Sequence, residues 1–257
     1  MSDSATPTKP LIGKKAVVTG GNKGIGEAIS LALAEKGADI AIIARDTDSA
    51  QNVIKKVRSE RRFCKVYPAD LNDSACVRKA AKEILEDMGR VDILVNNAGM
   101  SQLESLLDFS EDNWDRTMNV NLKAPFLLSQ EFAKGMIERK SGKIIHISSV
   151  AAVQAVDEHA AYCVSKAGLH MLTKMMALEW GPYNIQTNAI APTVVWTEMG
   201  QRVWGAPEKH EPMLARIPAH RFVKPEEVAE LTVFLAGPGS DMICGQTIAV
   251  DGGLTVH

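Results

Sequence analysis

Tyr162 and Lys166 stand four residues apart in the run Tyr162-Cys-Val-Ser-Lys166. On a helix that spacing puts both side chains on one face. A free phenol has a pKa of about 10, too high for ready proton exchange at neutral pH. The spacing therefore predicts an ammonium that favours the phenolate and draws the Tyr162 pKa down toward the working range. Ser149 follows the β-branched run at residues 143–148, so its hydroxyl is expected at a strand's carboxyl end, where ligands of open α/β sheets bind. A phenol, an ammonium and a hydroxyl gathered there suit proton exchange with the oxygen of a small molecule. A single pair of this kind is equally compatible with a satisfied buried hydroxyl and a lysine reaching for solvent. The rest of the chain has to decide.

A second constellation lies near the N-terminus. The run Ala-Val-Val-Thr at residues 16–19 leads directly into Gly20-Gly21-Asn22-Lys23-Gly24-Ile25-Gly26 and then into a helical pattern. Glycines between a strand and a helix allow a tight turn and close backbone approach, so a dinucleotide pyrophosphate is expected on the helix N-terminus. The spacing is G-x-x-x-G-x-G, an approximate match to the G-x-G-x-x-G fingerprint. The second strand run ends at Ala44-Arg45-Asp46. A site preferring NAD would carry an acid at that strand end to bind the ribose 2′-hydroxyl. Here Ala44 takes the position, Arg45 follows, and Lys23 adds a second cation, an arrangement suited to a 2′-phosphate and hence to NADPH. A shift of one residue would make Asp46 that acid instead.

These groups need a scaffold. Apolar strand runs occur at 16–19, 40–44, 66–68, 93–96, 143–148, 186–190 and 247–250. Several are continuous rather than alternating, as expected of strands buried on both faces of a parallel sheet. Between them lie helical patterns; in 25–36 the positions Ile25, Ala28, Ile29, Ala32 and Leu33 mark one buried face, and Gly37 is placed to end the helix. Alternating strands and helices imply βαβ crossovers and a doubly wound sheet. No linker divides the chain, so residues 11–257 are expected to form one domain behind a loose polar tail at 1–10. The stretch 193–224 has no strand pattern, and it is placed to cover the ligand crevice.

A net charge of −2 gives no electrostatic reason to expect nucleic acid or an anionic membrane as a partner. The cysteines, Cys64, Cys76, Cys163 and Cys244, show neither C-x-x-C pairing nor metal-like clustering. Free thiols and the absence of a signal-like leader point to a cytoplasmic protein.

The glycines at 20, 24 and 26 are followed in order by Asp70 after the third strand run and Asn96-Asn97-Ala98-Gly99 after the fourth. Asn121 within Val-Asn-Leu, Ser149, and Tyr162 with Lys166 complete the series. Over residues 13–253 this set resembles the short-chain dehydrogenase/reductase family. The resemblance implies a seven-stranded, mostly parallel sheet with helices on both faces. It also implies Tyr162 as proton donor to the developing alkoxide, and Ser149 as the group that positions the substrate oxygen. Lys166 would hold the nicotinamide ribose and tune Tyr162, while Asn121 would anchor a water carrying protons from Lys166 to solvent. The cofactor, expected as NADP(H), would meet Gly20, Asn22, Lys23, Gly24, Ile25, Gly26, Arg45, Asp70, Leu71, Asn97, Ala98 and Gly99. On its nicotinamide side it would meet Tyr162, Lys166, Pro192, Val195 and Thr197. A homotetramer built through helices around 113–136 and 160–181 is implied as well.

Within the family, Pro192-Thr-Val-Val, Met199-Gly-Gln, Arg216-Ile-Pro and His159 are similar to L-xylulose (dicarbonyl) reductases and related polyol dehydrogenases. His159 and Trp196 are then candidate substrate contacts beside Ser149 and Tyr162. Two alternatives stay open: a 3-oxoacyl-carrier-protein reductase, and a non-catalytic NADPH-binding protein.

Overall fold

The computed structural model describes residues 9–256. The expected tail at 1–10 lies outside the described residues except for Lys9 and Pro10. The first half alternates β1 (Lys15–Thr19), α1 (Gly24–Glu35), β2 (Asp39–Ala44), α2 (Gln51–Ser59), β3 (Cys64–Pro68), α3 (Ser74–Met88) and β4 (Ile93–Asn96). There follow α4 (Glu111–Met118), α5 (Ala124–Arg139), β5 (Gly142–Ile147), α6 (Ala160–Trp180) and β6 (Ile185–Pro192). The chain ends with α7 (Glu198–Trp204), α8 (Pro207–Arg216), α9 (Pro225–Ala236) and β7 (Thr247–Val250). All seven strand runs form strands of one sheet, ordered β3-β2-β1-β4-β5-β6-β7, with each pairing parallel.

The continuous apolar runs follow from burial on both faces. Val18, Ile40, Ile42, Val95 and Ile145 pack against Ile29 and Leu33 of α1 and Val228 of α9. Their neighbours Val17, Ile43, Leu94 and Ile144 point the other way, onto Val77 and Ile84 of α3 and Leu128 and Phe132 of α5. α1 stops where expected, with Gly37 in the left-handed region at φ 103°. Because β1 leads rightward to β2 and β3 while β4 begins the opposite sweep, the strand order reverses between β1 and β4. A crevice opens at their carboxyl ends.

Two expectations change. The helix expected around 113–136 is interrupted by a π-helical turn, Asn119–Lys123, between α4 and α5. Such turns are rare and fall frequently at functional sites; here the turn carries the fully buried Asn121. The stretch 193–224 is built around α7 and α8, clamped at its base by an isolated parallel bridge between Val195 and Val223. Among the described residues no helix is long and apolar enough to cross a membrane.

Candidate active site

Ser149 lies just beyond β5, 9% exposed, in extended backbone at the start of a short 3-10 turn, Val150–Ala152, and its Oγ accepts from the Ala151 N–H at 3.1 Å. Tyr162 and Lys166 sit in the first turns of α6, as the spacing requires. The Lys166 ammonium is 5.6 Å from the Tyr162 ring centroid and donates to the Ile147 carbonyl at 2.8 Å. Burial lowers the Lys166 pKa to about 8. The sequence spacing predicts a Tyr162 pKa drawn down by that ammonium, but the structure reverses the direction. Burial raises it, with only a hydrogen bond from Ser149 acting the other way. The reason is that loss of solvent outweighs the ammonium, which lies over the ring at 5.6 Å from its centroid and spends one of its protons on Ile147 O. Tyr162 is therefore a protonated phenol at neutral pH.

Asn121 joins this group through the π-turn. Its Oδ1 accepts from Met100 N–H at 2.9 Å, and its Nδ2 donates to Met100 O at 2.9 Å and Ser165 Oγ at 3.1 Å. A side chain on Gly99 would come within 3.5 Å of both Asn121 Oδ1 and Lys166 Nζ, so this glycine leaves room beside the ammonium.

Across the crevice, the glycine loop turns through left-handed φ values of 63° at Gly20 and 56° at Gly24. Asn97, expected beneath a bound adenosine, braces this loop. Its Nδ2 donates to Thr19 O at 2.9 Å and Gly20 O at 3.4 Å, spending the amide inside the protein. Thr19 was not singled out by the sequence, yet its Oγ1 accepts from the N–H of both Asn97 and Ala98 at 2.9 Å. Its signal was available: a hydroxyl at a strand's last residue, directly before the loop. Asn22 Nδ2 reaches Ser49 Oγ at 2.7 Å, joining the glycine loop to the corner after β2. At that corner Arg45 is exposed, and Asp46 turns its carboxylate onto the Asp48 and Ser49 N–H groups at 2.9 and 3.4 Å, which lowers its pKa. Lys23 lies 3.8 Å from Glu198, both well exposed, a pair worth little. Asp70 is exposed after β3 and accepts from Asn72 N–H, while Leu71 is partly buried against the α3 side of the sheet.

The β6–α7 loop approaches the glycine loop at Gly24. Pro192 ends β6, Val195 is buried, and Thr197 Cγ2 lies 3.3 Å from where a Gly24 side chain would stand. The Thr197 hydroxyl caps α7 through Gly200 N–H at 3.2 Å, so Thr197 serves the loop before any ligand. Trp196, 38% exposed, stacks on Phe222 at 5.2 Å and meets His210 edge-on at 5.3 Å. Its ring thus forms part of the cover. His159 stands edge-on to Tyr162 at 6.1 Å, delivered by a left-handed Glu158 at φ 60°. The His159 Nδ1 lies 2.6 Å from the Asp157 carbonyl. A carbonyl only accepts, so Nδ1 carries a proton, and in the neutral ring Nε2 is then the acceptor.

The family model described as enoyl-(acyl carrier protein) reductase matches residues 20–255. The chain belongs to the short-chain dehydrogenase/reductase family. Among similar members of this family, an L-xylulose reductase of Mus musculus is 41% identical over 244 residues, 95% of this chain and 97% of that one. An NAD-dependent glycerol dehydrogenase of Listeria innocua is 40% identical over 243 residues, covering 95% and 94%. A gluconate 5-dehydrogenase of Burkholderia cenocepacia, solved with NADP and tartrate, superposes with a TM-score of 0.92 at 37% identity, covering 97% of this chain and 98% of that one. The chain is accordingly an oxidoreductase of this family, whose members use a nicotinamide cofactor.

Proposed function

We propose that the protein is an NADPH-dependent reductase of small ketones, ketoses or α-dicarbonyls. The observation that carries this reading is the protonated, half-buried Tyr162 held between Ser149 and Lys166, facing a glycine cradle across the crevice. A bound nicotinamide supplies the hydride; orientation and proton delivery fall to the protein. Ser149 Oγ donates to the substrate oxygen and fixes it beside the phenol. Tyr162 gives its proton to the alkoxide as it forms, and Lys166 carries a positive charge next to that step. A phenol held protonated favours the direction of reduction near neutral pH. Measuring NADPH and NADH oxidation with diacetyl, L-xylulose and an acetoacetyl thioester tests the reading. A preference for the thioester would favour the acyl-carrier alternative, and no turnover at all would favour a binding protein.

The glycine cradle fits a pyrophosphate, since the approach is open only while no side chain fills it. Relatives differ in cofactor, one being NAD-dependent and one binding NADP. For this chain the corner after β2 supports NADPH. Ala44 offers no acid, Arg45 is free to meet a phosphate, and Asp46 is occupied by the backbone it caps. Replacing Arg45 with Asp should weaken NADPH binding far more than NADH binding. A charge-assisted contact contributes roughly 1.5–3 kcal/mol, so preference should shift by about tenfold or more. An unchanged preference in cofactor titrations would make Arg45 a bystander.

His159 supports a hydroxylated substrate, because its free Nε2 accepts from a hydroxyl near the reacting carbonyl. A site that hydrogen-bonds a substrate hydroxyl rejects analogues lacking it. His159→Leu should therefore lower kcat/KM for L-xylulose by about tenfold or more while sparing diacetyl, which has no hydroxyl to lose. Equal losses on both would mean that His159 only shapes the turn. The partly exposed Phe126, Met171 and Met175, on α5 and α6, offer the apolar faces through which a cytoplasmic homotetramer would assemble.

A further inference from the structure

The parallel ladder between β4 and β5 ends at the pair Asn96 and His146. Beyond this pair the strands separate and serve different halves of the site. On the β4 side, Asn97 and Ala98 turn toward Thr19 and brace the glycine loop. On the β5 side, Ile147 holds the Lys166 ammonium, and Ser148 Oγ reaches the Lys166 carbonyl at 3.4 Å just before Ser149. One side-chain contact bridges the two strands where they part. Asn96 Nδ2 lies 3.1 Å from His146 Nδ1 and 3.3 Å from Ser129 Oγ on α5. All three residues are buried, His146 and Ser129 completely. The amide donates, so Nδ1 accepts and must be unprotonated. Burial, with the nearby Lys166 charge, holds the His146 pKa down to about 3, so this acceptor persists at every working pH.

We propose that His146 is a positioning residue, its ring and the Asn96 amide forming a strut. The strut sets the spacing between the glycine-loop brace on β4 and the Lys166–Ser149 machinery on β5. The inference rests on the catalytic reading given above. His146 touches no reacting atom; it acts through Ile147, the residue that follows it. A misplacement of about 1 Å between cofactor and proton donor is enough to cost up to a hundredfold in rate.

The test compares two substitutions in the full-length protein. His146→Leu keeps bulk but removes the acceptor, and it should lower kcat by about tenfold or more while NADPH affinity stays near the parent's. His146→Asn places an amide oxygen about where Nδ1 stands, and it should recover most of the parental kcat. Should the Leu variant fail to fold, His146→Ala is read in the same way. A Leu variant with parental kcat overturns the proposal. So does a loss shared equally by the Leu and Asn variants, or one that only tracks the urea midpoint of the cofactor-free protein. The 15N spectrum of the parent gives a readout independent of turnover. The His146 ring should keep a bare Nδ1 from about pH 5 to 8, and titration near the ordinary histidine value would sink the strut. A parent that reduces none of the three carbonyl compounds defeats the catalytic reading, while the spectrum still judges the strut.

Discussion

Tyr162→Phe should bind NADPH almost as tightly as the parent and turn over at least a thousandfold more slowly, near the upper range of about 10²–10⁴ for a lost general acid. The ring is not what is removed. It packs edge-on against His159 at 6.1 Å and lies beneath the Lys166 ammonium, and a phenyl group keeps both contacts. What disappears is one oxygen, and with it the proton that burial keeps in place at neutral pH. No neighbour is equipped to replace it. Ser149 is a far weaker acid, and the Lys166 ammonium is turned to Ile147 O. Water admitted to the gap would stand where the substrate oxygen belongs. Cofactor fluorescence should therefore report near-parental affinity while single-turnover reduction collapses. A variant retaining a tenth of the parental rate would remove Tyr162 as the principal acid.

Much of this arrangement was legible before any coordinates. β1, β2 and β4 are buried on both faces, so their apolar runs are continuous, and β5 is broken only by His146; these runs mark strands in the chain by pattern alone. Strand ends moved by a residue or two; β5, expected to reach 148, stops at Ile147. The π-turn was not legible. It adds one residue to a turn without breaking the apolar pattern, and its signal is a tertiary bond from Asn121 to Met100. The stretch 193–224 was not resolved into α7 and α8, because short helices with Pro207 and Pro212 carry little periodicity. The Tyr162 pKa went astray for a related reason. A four-residue spacing reports proximity on a helix, whereas the direction of the shift depends on burial and on where the ammonium points. The bonds of the Asn97 amide to Thr19 O and Gly20 O were not legible either, since a motif marks a residue without saying which partner its amide takes.

Gly26→Ala should abolish useful NADPH affinity, weakening it by about a hundredfold or more, a loss of roughly 3 kcal/mol by the relation between affinity and free energy. The cause is contact rather than dihedral angle. A methyl group on Gly26 would stand 2.0 Å from Gly20 O and 2.6 Å from Asn97 Nδ2. Gly20 O belongs to the backbone and cannot rotate aside, and Asn97 is fixed by its own bonds to Thr19 O and Gly20 O. The first turn of α1 must therefore lift away from the glycine loop, which also disturbs Ser30, whose hydroxyl donates to Gly26 O at 2.8 Å and Gly21 O at 3.2 Å. Lifting α1 withdraws its N-terminal N–H groups from the place a pyrophosphate would occupy, and loss of affinity follows directly. Overpacking of this kind also costs about 1–3 kcal/mol of stability, so the urea midpoint should fall along with affinity. Gly181→Ala is the matched control. Its methyl would meet nothing within 4 Å, and its φ of −54° suits any residue. That variant should keep parental affinity and stability. Parental NADPH affinity in Gly26→Ala would show that the loop can yield, and the glycine cradle would then lose its place as the pyrophosphate site.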